Sequence, residues 1–289
     1  MSIKNFIDEL GKGFKSPAYL LYAEDSYLLK EALFAIKQTI PEDRVDFLLS
    51  AFDMDSPEAP PVEQVLDVLY TVPFFGGRKT VVMENAQKLL KKDLEALGRY
   101  LADPSPDSVL VMMSAGKLKK SLKEALKGAK AISMDIREKE LPAWLRQRAS
   151  RRGLALTPQA VEYLIGTVGP EAGLLASEVE KLAMSGNERL DAQDIKDIVK
   201  GSGGHDVFDL IDALKARDAD RVFRIYRELS EGQDPYGLLG AINWHYERVS
   251  AGWKNREKVF HILNEADLMM KSSGGAYPVE YLLVKLLRL

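Results

Sequence analysis

The first half of the chain alternates between two patterns of apolar residues. Short apolar runs of strand length occur at residues 17–22, 45–52, 80–83, 108–113 and 131–135. Between these runs the apolar residues recur at helical spacing, and the first such pattern runs from Leu28 to Ile40, behind Asp25 as its capping residue. Strands that alternate with helices are typical of a mostly parallel sheet covered on both faces. The pattern therefore predicts an α/β domain at residues 1–140.

After residue 140 the apolar spacing is helical throughout, and we expect no strand there. Proline stands at the first position of three predicted helices, the first two behind a capping side chain: Thr157-Pro158, Asp234-Pro235 and Tyr277-Pro278. The most linker-like run, Gly201-Ser-Gly-Gly204, separates a small helical domain at 141–203 from a larger helical bundle at 204–289. The apolar stripes of that bundle pack in its own core or against neighbouring subunits.

The connection before the strand predicted at 80–83 carries two adjacent aromatic residues, Phe74 and Phe75. Pro73 ends the preceding helical pattern, and Gly76 and Gly77 allow positive φ and the close approach of another surface. A large apolar side chain left in water forgoes about 1.5–3 kcal/mol of burial free energy, so both rings need a buried destination. The residues alone leave two destinations open, this protein's own sheet or a pocket on a partner.

Composition adds limits on location and chemistry. The 289 residues are 46% hydrophobic and 29% charged, which is ordinary for a globular chain of about two domains. No apolar run approaches the roughly 18 residues of a membrane span, and acidic residues interrupt the first ten, so we expect a cytoplasmic protein without a membrane partner. The absence of cysteine excludes disulfides and thiolate metal sites, and the 3 histidines lack ligand spacing. We therefore predict no metal site.

The turn after the first strand is where a phosphate-binding loop would lie. It reads Ala23-Glu24-Asp25-Ser26-Tyr27-Leu28, without glycine or a G-K-[ST] motif, and its two acidic residues would repel a triphosphate. Glu84-Asn85, after the third strand, supplies at most one carboxylate for a magnesium ion. We predict no nucleotide binding, no catalytic site and no cofactor.

The formal net charge is −3, which argues against a protein that binds nucleic acid over its whole surface. Two local basic patches remain, a lysine patch and an arginine patch: Lys117, Lys119, Lys120, Lys123, Lys127 and Lys130 form the first, and Arg146, Arg148, Arg151 and Arg152 the second. Each is either a solvated helix face or a DNA contact.

Three blocks of sequence resemble the bacterial DNA polymerase III delta subunit, the clamp-opening subunit of the clamp loader. They are Tyr19-Leu-Leu-Tyr-Ala-Glu-Asp-Ser-Tyr-Leu-Leu29, Val72-Pro-Phe-Phe-Gly-Gly-Arg-Lys-Thr-Val-Val-Met-Glu-Asn-Ala-Gln-Lys-Leu89 and Ala266-Asp-Leu-Met-Met-Lys-Ser272. The resemblance implies an AAA+-like α/β domain without a functional phosphate loop, a helical lid domain and a helical collar domain that mediates oligomerisation. These correspond to residues 1–140, 141–203 and 204–289.

The resemblance also assigns a role to the aromatic pair. In this family, two apolar side chains before the third strand act as a wedge in a hydrophobic pocket of the ring-shaped sliding clamp. The matching positions are Phe74 and Phe75, with Pro73, Gly76 and Gly77 shaping the loop. Many relatives carry Leu-Phe, so Phe74 is a departure that keeps the apolar bulk.

The partners implied by the resemblance are the sliding clamp (beta subunit), the motor subunits (gamma/tau), delta prime and, through the assembled complex, primer-template DNA. The chain would have no catalytic site of its own, although it would be a subunit of a DNA-directed DNA polymerase, a nucleotidyltransferase holoenzyme. Alternatives are an AAA+ ATPase with a degenerate nucleotide site, a nucleotidyltransferase in its own right, and a helical DNA-binding scaffold.

Overall fold

The computed structural model describes residues 3–11, 13–73, 76–199, 205–232, 234–249, 255–273 and 276–289. The chain divides into two compact units, Met1–Arg137 and Glu138–Leu289. Within the described ranges, no helix is both long and apolar enough to cross a bilayer.

The first unit is built on a five-stranded parallel sheet with the order β2-β3-β4-β1-β5. Its strands are β1 (Ala18–Ala23), β2 (Leu49–Asp53), β3 (Lys79–Glu84), β4 (Ser108–Ala115) and β5 (Lys130–Ser133). Its α-helices are α1 (Ile3–Leu10), α2 (Ser26–Gln38), α3 (Val45–Leu48), α4 (Val62–Tyr70), α5 (Lys91–Ala102) and α6 (Lys120–Ala125). The predicted parallel α/β fold is confirmed.

Burial explains why the central strands read as nearly continuous apolar runs. Strands β1, β3 and β4 are buried along most of their length, as expected when helices cover both faces of a parallel sheet. Val65 and Leu69 of α4 pack with Val81 and Leu110 in one core cluster. At the other end of the unit, Asp25 caps α2 as predicted, because its carboxylate accepts the Tyr27 N–H at 2.9 Å.

Only the second half of the strand predicted at 45–52 is confirmed. Residues Val45–Leu48 form one helical turn, α3, and only Leu49–Asp53 joins the sheet. A 3₁₀ turn at Glu42–Arg44 leads directly into α3, and the Leu49 N–H donates to the Val45 carbonyl. A single turn buries only one side chain, Leu48, so its apolar residues cannot be distinguished by periodicity from those of an edge strand.

The second unit is helical, as predicted. Its helices are α7 (Leu141–Arg151), α8 (Pro158–Val168), α9 (Ala172–Ala183), α10 (Ala192–Val199), α11 (Val207–Lys215), α12 (Ala219–Gly232), α13 (Pro235–Val249), α14 (Arg256–Ser273) and α15 (Tyr277–Leu287). The expectation of no strand after residue 140 is wrong, because β6 (Ala155–Leu156) and β7 (Arg189–Leu190) form a parallel pair. A two-residue strand is too short to leave a periodic pattern.

Local capping explains where two of these helices begin. Thr157 Oγ1 accepts the Ala160 N–H at 3.2 Å, and the Asp234 carboxylate accepts the N–H groups of Tyr236 and Gly237 at 3.1 and 3.2 Å. Both caps were predicted. Helices α11 to α15 share one apolar core cluster. The linker-like run 201–204 lies outside the described residues, so a domain boundary at 203 stays a prediction.

Candidate functional site

In the loop between α4 and β3, the structure describes the residues on both sides of the predicted wedge. Phe74 and Phe75 themselves lie outside the described residues. The Gly76 N–H donates to the Pro73 carbonyl at 3.2 Å, which joins the two flanks of the loop. Gly76 and Gly77 have φ values of +68° and +90°, a backbone region that L-residues with a side chain rarely adopt. The loop therefore has a defined, hydrogen-bonded base.

The helix that enters this loop ends in an unusual way. At Thr71 the backbone becomes extended, with φ −75° and ψ 120°, instead of passing through the left-handed residue common at helix ends. Thr71 Oγ1 donates to the Asp67 carbonyl at 2.8 Å. Lys79 Nζ donates to the Val68 carbonyl at 3.3 Å, and Ser108 Oγ donates to the Leu69 carbonyl at 2.7 Å. Side chains thus satisfy three of the last helical carbonyls.

The strand side of the loop is anchored as well. Arg78 Nη1 donates to the Phe14 carbonyl at 3.1 Å, and the Lys79 N–H donates to the Asp107 carbonyl at 2.9 Å. A Cβ atom built on Gly77 would lie 3.7 Å from Leu48 Cδ1, in ordinary van der Waals contact. Both flanks of the loop are therefore held by the body of the α/β unit.

Two apolar side chains on the helical flank face solvent. Tyr70 is 56% exposed and Val72 is 67% exposed, although Pro73 beside them is buried. Tyr70 also packs edge-on against Tyr100, with ring centroids 5.4 Å apart. The exposure of Tyr70 could have been predicted from the sequence, because this residue falls outside the apolar stripe that α4 buries, which is Val62, Val65 and Leu69. The helical flank of the loop therefore presents two apolar side chains to solvent.

Two carboxylates already accept hydrogen bonds from backbone N–H groups in the turn at the start of α2. The Glu24 N–H donates to Asp135 Oδ1 at 2.8 Å, and the Tyr27 N–H is held by the capping carboxylate of Asp25. Lys117 Nζ lies 3.7 Å from the Glu24 carboxylate. A phosphate group at this helix start would have to displace two carboxylates from the N–H groups that it needs.

The acidic residues at the ends of β2 and β3 bind neighbouring groups of the protein. Asp53 Oδ1 accepts from Asn85 Nδ2 at 2.7 Å and from the Asp55 N–H at 2.9 Å, and the Asn85 bond lowers the pKa of Asp53. Burial, followed by the charge of Asp53, raises the pKa of Glu84. Among the described residues, no group of three His, Cys, Asp or Glu side chains could hold a metal ion.

The two basic patches differ in their contacts. In the arginine patch, Glu180 binds both Arg148 Nη2 at 3.1 Å and Arg152 Nε at 2.8 Å. These two arginines therefore stabilise the packing of α7 against α9. In the lysine patch, Lys117, Lys119, Lys120, Lys123 and Lys127 are all exposed, and Lys120 lies 3.8 Å from Glu124. DNA contact by either patch stays a prediction.

Comparison with known proteins shows which family the chain resembles. Residues 19–138 match the family model described as DNA polymerase III, delta subunit. The chain is 28% identical over 258 residues to DNA polymerase III subunit delta of Bacillus subtilis (strain 168), covering 83% of this chain and 73% of that protein. It is 24% identical over 243 residues to the probable DNA polymerase III subunit delta of Aquifex aeolicus (strain VF5), covering 78% and 67%.

A solved structure shares the fold over nearly the whole length. The Bacillus subtilis DNA clamp loader delta protein aligns with a TM-score of 0.56 and 23% identity, covering 99% of this chain and 100% of that chain. At this identity the match supports the fold. The family match over residues 19–138 and the two relatives in sequence show that the chain is similar to the bacterial DNA polymerase III delta subunits, the resemblance that its three sequence blocks predicted.

Proposed function

We propose that the chain is a clamp-loader subunit that binds the ring-shaped sliding clamp through the loop between α4 and β3 and thereby opens the ring during DNA replication. Phe74 and Phe75 are the proposed apolar wedge. The observation that carries this proposal is the loop itself, whose two flanks are hydrogen-bonded to the protein body while Tyr70 and Val72 remain exposed to solvent. A rigidly held apolar surface suits partner binding.

The packing of α4 supports a partner as the destination of the two rings. Val62, Val65 and Leu69 already fill the space between α4 and the sheet, and each is 1% exposed or less. Exposed apolar side chains directly before the pair extend the surface that a hydrophobic pocket on the clamp would cover.

Ring opening by this subunit would use binding free energy alone. A protein that binds the open interface of a ring more tightly than the closed one shifts the population toward the open state, without hydrolysis of its own. The turn from Glu24 to Tyr27 supports such a role, because Asp135 and Asp25 occupy the N–H groups that a nucleotide phosphate would bind. The ATP-dependent step then belongs to the motor subunits (gamma/tau).

Assembly with the motor subunits and delta prime is proposed for the helical region 204–289, which would act as a collar. Leu268 on α14 and Tyr277 on α15 are 58% and 62% exposed, so this region offers apolar side chains to neighbouring subunits. Primer-template DNA would be a partner of the assembled complex.

The test is equilibrium binding of the cognate sliding clamp to the purified chain and to its Phe75→Ala and Phe74→Ala/Phe75→Ala variants. Removing a central aromatic side chain from an interface typically costs ~2 kcal/mol or more, which is roughly thirtyfold in affinity. The variants should bind the clamp much more weakly and melt at the wild-type temperature. A variant that melts much earlier but still binds normally would place the rings in this protein's own core, where truncation costs about 3–5 kcal/mol.

A further inference from the structure

The end of α4 is held partly by donors that come from two neighbouring strands. An α-helix leaves its last carbonyls without partners, and a glycine after the helix often allows the backbone to satisfy them. Here Thr71 follows the helix in an extended conformation, and its N–H donates to the Asp67 and Val68 carbonyls at 3.1 and 3.3 Å, while its hydroxyl also donates to the Asp67 carbonyl. The Val68 carbonyl accepts a second bond from Lys79, and the Leu69 carbonyl accepts the Ser108 hydroxyl.

Lys79 and Ser108 form one unit. They are the first residues of β3 and β4, and they face each other directly in the parallel register of the two strands. Ser108 is fully buried and Lys79 is 9% exposed, so protein atoms cover most of both side chains where they meet the last turn of α4. The side chains thus form a two-donor platform that fixes where the helix ends and in which direction the chain continues.

The lysine is costly for the fold. A buried ammonium group is unfavourable unless an acidic group compensates for it, and no ion pair joins Lys79 to a carboxylate in the described part of the chain. Its position at the helix C-terminus, where the partial charge is negative, offsets only part of that cost. Maximum stability is therefore a poor explanation for a lysine at this position.

Position in the chain links the platform to the loop. Leu69, which Ser108 holds, is four residues before Pro73, where the loop hydrogen bond to Gly76 begins. A loop that is ordered before it meets its partner loses less conformational entropy on binding. If the last turn of α4 frays, the exposed side chains of Tyr70 and Val72 are no longer held in one orientation.

We propose that Lys79 and Ser108 are positioning residues that hold the α4–β3 loop in its partner-binding orientation. The proposal rests on the proposed function, in which this loop binds the sliding clamp. Loss of either donor should weaken clamp binding mainly through loop order, because neither side chain is accessible enough to contact the partner.

The experiment measures the clamp affinity of Ser108→Ala and Lys79→Met in the full chain, at a temperature where circular dichroism shows each variant to be folded. Lys79→Arg keeps a cationic donor and should retain most of the affinity. The matched control is Ser114→Ala, since Ser114 lies on the same strand, is 1% exposed and makes no bond to α4. Hydrogen exchange of the peptide covering the last turn of α4 gives a readout of local order.

Ser108→Ala should lose about tenfold in clamp affinity, equal to about 1.4 kcal/mol, with faster exchange at the end of α4, whereas Ser114→Ala should behave as wild type. Equal losses in Ser108→Ala and Ser114→Ala would show a general effect on stability and overturn the proposal. Wild-type binding by Ser108→Ala alongside lost binding by Phe75→Ala would overturn the positioning role alone. Wild-type binding by Phe75→Ala would overturn the proposed function, and the positioning role with it.

Discussion

The carboxylate of Glu9 ties the first helix of the α/β unit to its sheet, and removing its charge should destabilise the protein. Glu9 Oε1 accepts from the Tyr19 hydroxyl at 2.6 Å, and Oε2 accepts from Lys130 Nζ at 2.6 Å. The Tyr19 oxygen in turn accepts the N–H groups of Lys15 and Ser16, at 3.0 and 2.9 Å. One acidic side chain therefore organises the segment between α1 and β1.

The size of the effect follows from these contacts. Glu9→Gln keeps the shape of the side chain but leaves a single carbonyl oxygen to face two donors. Hydrogen bonds to charged groups contribute about 1.5–3 kcal/mol each, against about 1 kcal/mol for neutral ones. Because Lys130 is 33% exposed, water solvates part of its charge when the pair is broken. We expect the free energy of unfolding, measured by urea denaturation, to fall by about 2 kcal/mol.

Acid should produce a related loss in the wild-type protein. Burial alone raises the pKa of Glu9, but the hydrogen bonds from Lys130 and Tyr19, together with the charge of Lys130, outweigh burial and lower the pKa below 4.5. A carboxyl group with a lowered pKa in the folded state stabilises the protein above its unfolded pKa, and this stability is lost as pH falls through the folded pKa. The unfolding free energy of Glu9→Gln should therefore depend less steeply on pH below 4.5 than that of the wild-type protein.

The matched control is Glu95→Gln on α5. Glu95 forms an exposed pair with Lys91 at 3.9 Å, with 59% and 92% of the side chains exposed, so its loss should change the unfolding free energy by less than about 0.5 kcal/mol. The reasoning is refuted if Glu9→Gln unfolds at the same urea concentration as Glu95→Gln and shows the same acid dependence as wild type.

Three further predictions follow from other parts of the chain. Calorimetric titration of the isolated chain with Mg-ATP should give no saturable heat, because Asp25 and Asp135 hold the N–H groups of the β1–α2 turn; a micromolar dissociation constant would contradict this. Burial, with the charge of Lys215, lowers the pKa of His245, so chemical denaturation should show stability falling as pH drops below about 6.5, by at most about 1.4 kcal/mol per pH unit. His245→Leu should remove that dependence, and an unchanged pH profile would refute the assignment. Deleting residues 204–289 should abolish co-purification with the motor subunits and leave clamp binding intact, and a truncated chain that still enters the complex would exclude the collar role.

The sequence predicted those parts of the fold that rest on local chemistry. Asp25, Thr157 and Asp234 cap the helices predicted for them, because a capping side chain binds N–H groups only two or three residues away. The end of α4 before Pro73 was also predictable, since an apolar stripe stops there. In each case the pattern and the contact that it predicts lie within one short stretch of chain.

What the sequence could not predict depends on contacts between distant residues. Ser108 supports the end of α4 from 39 residues away, and this contact follows from the pairing of β3 with β4, which no local pattern contains. The pair β6–β7 and the single turn α3 were missed because each is shorter than a period-based pattern can resolve. The burial state of Phe74 and Phe75 stays a prediction, since it depends on what their loop contacts.

The measurement that tests the central proposal most directly is the release of sliding clamps from nicked circular DNA by the purified chain in the absence of ATP. If binding free energy opens the ring, the wild-type chain should unload the clamp without nucleotide, and Phe74→Ala/Phe75→Ala should be unable to do so although it melts at the wild-type temperature. Unloading by the double variant at the wild-type rate, or unloading by the wild-type chain only when ATP is present, would contradict the proposal.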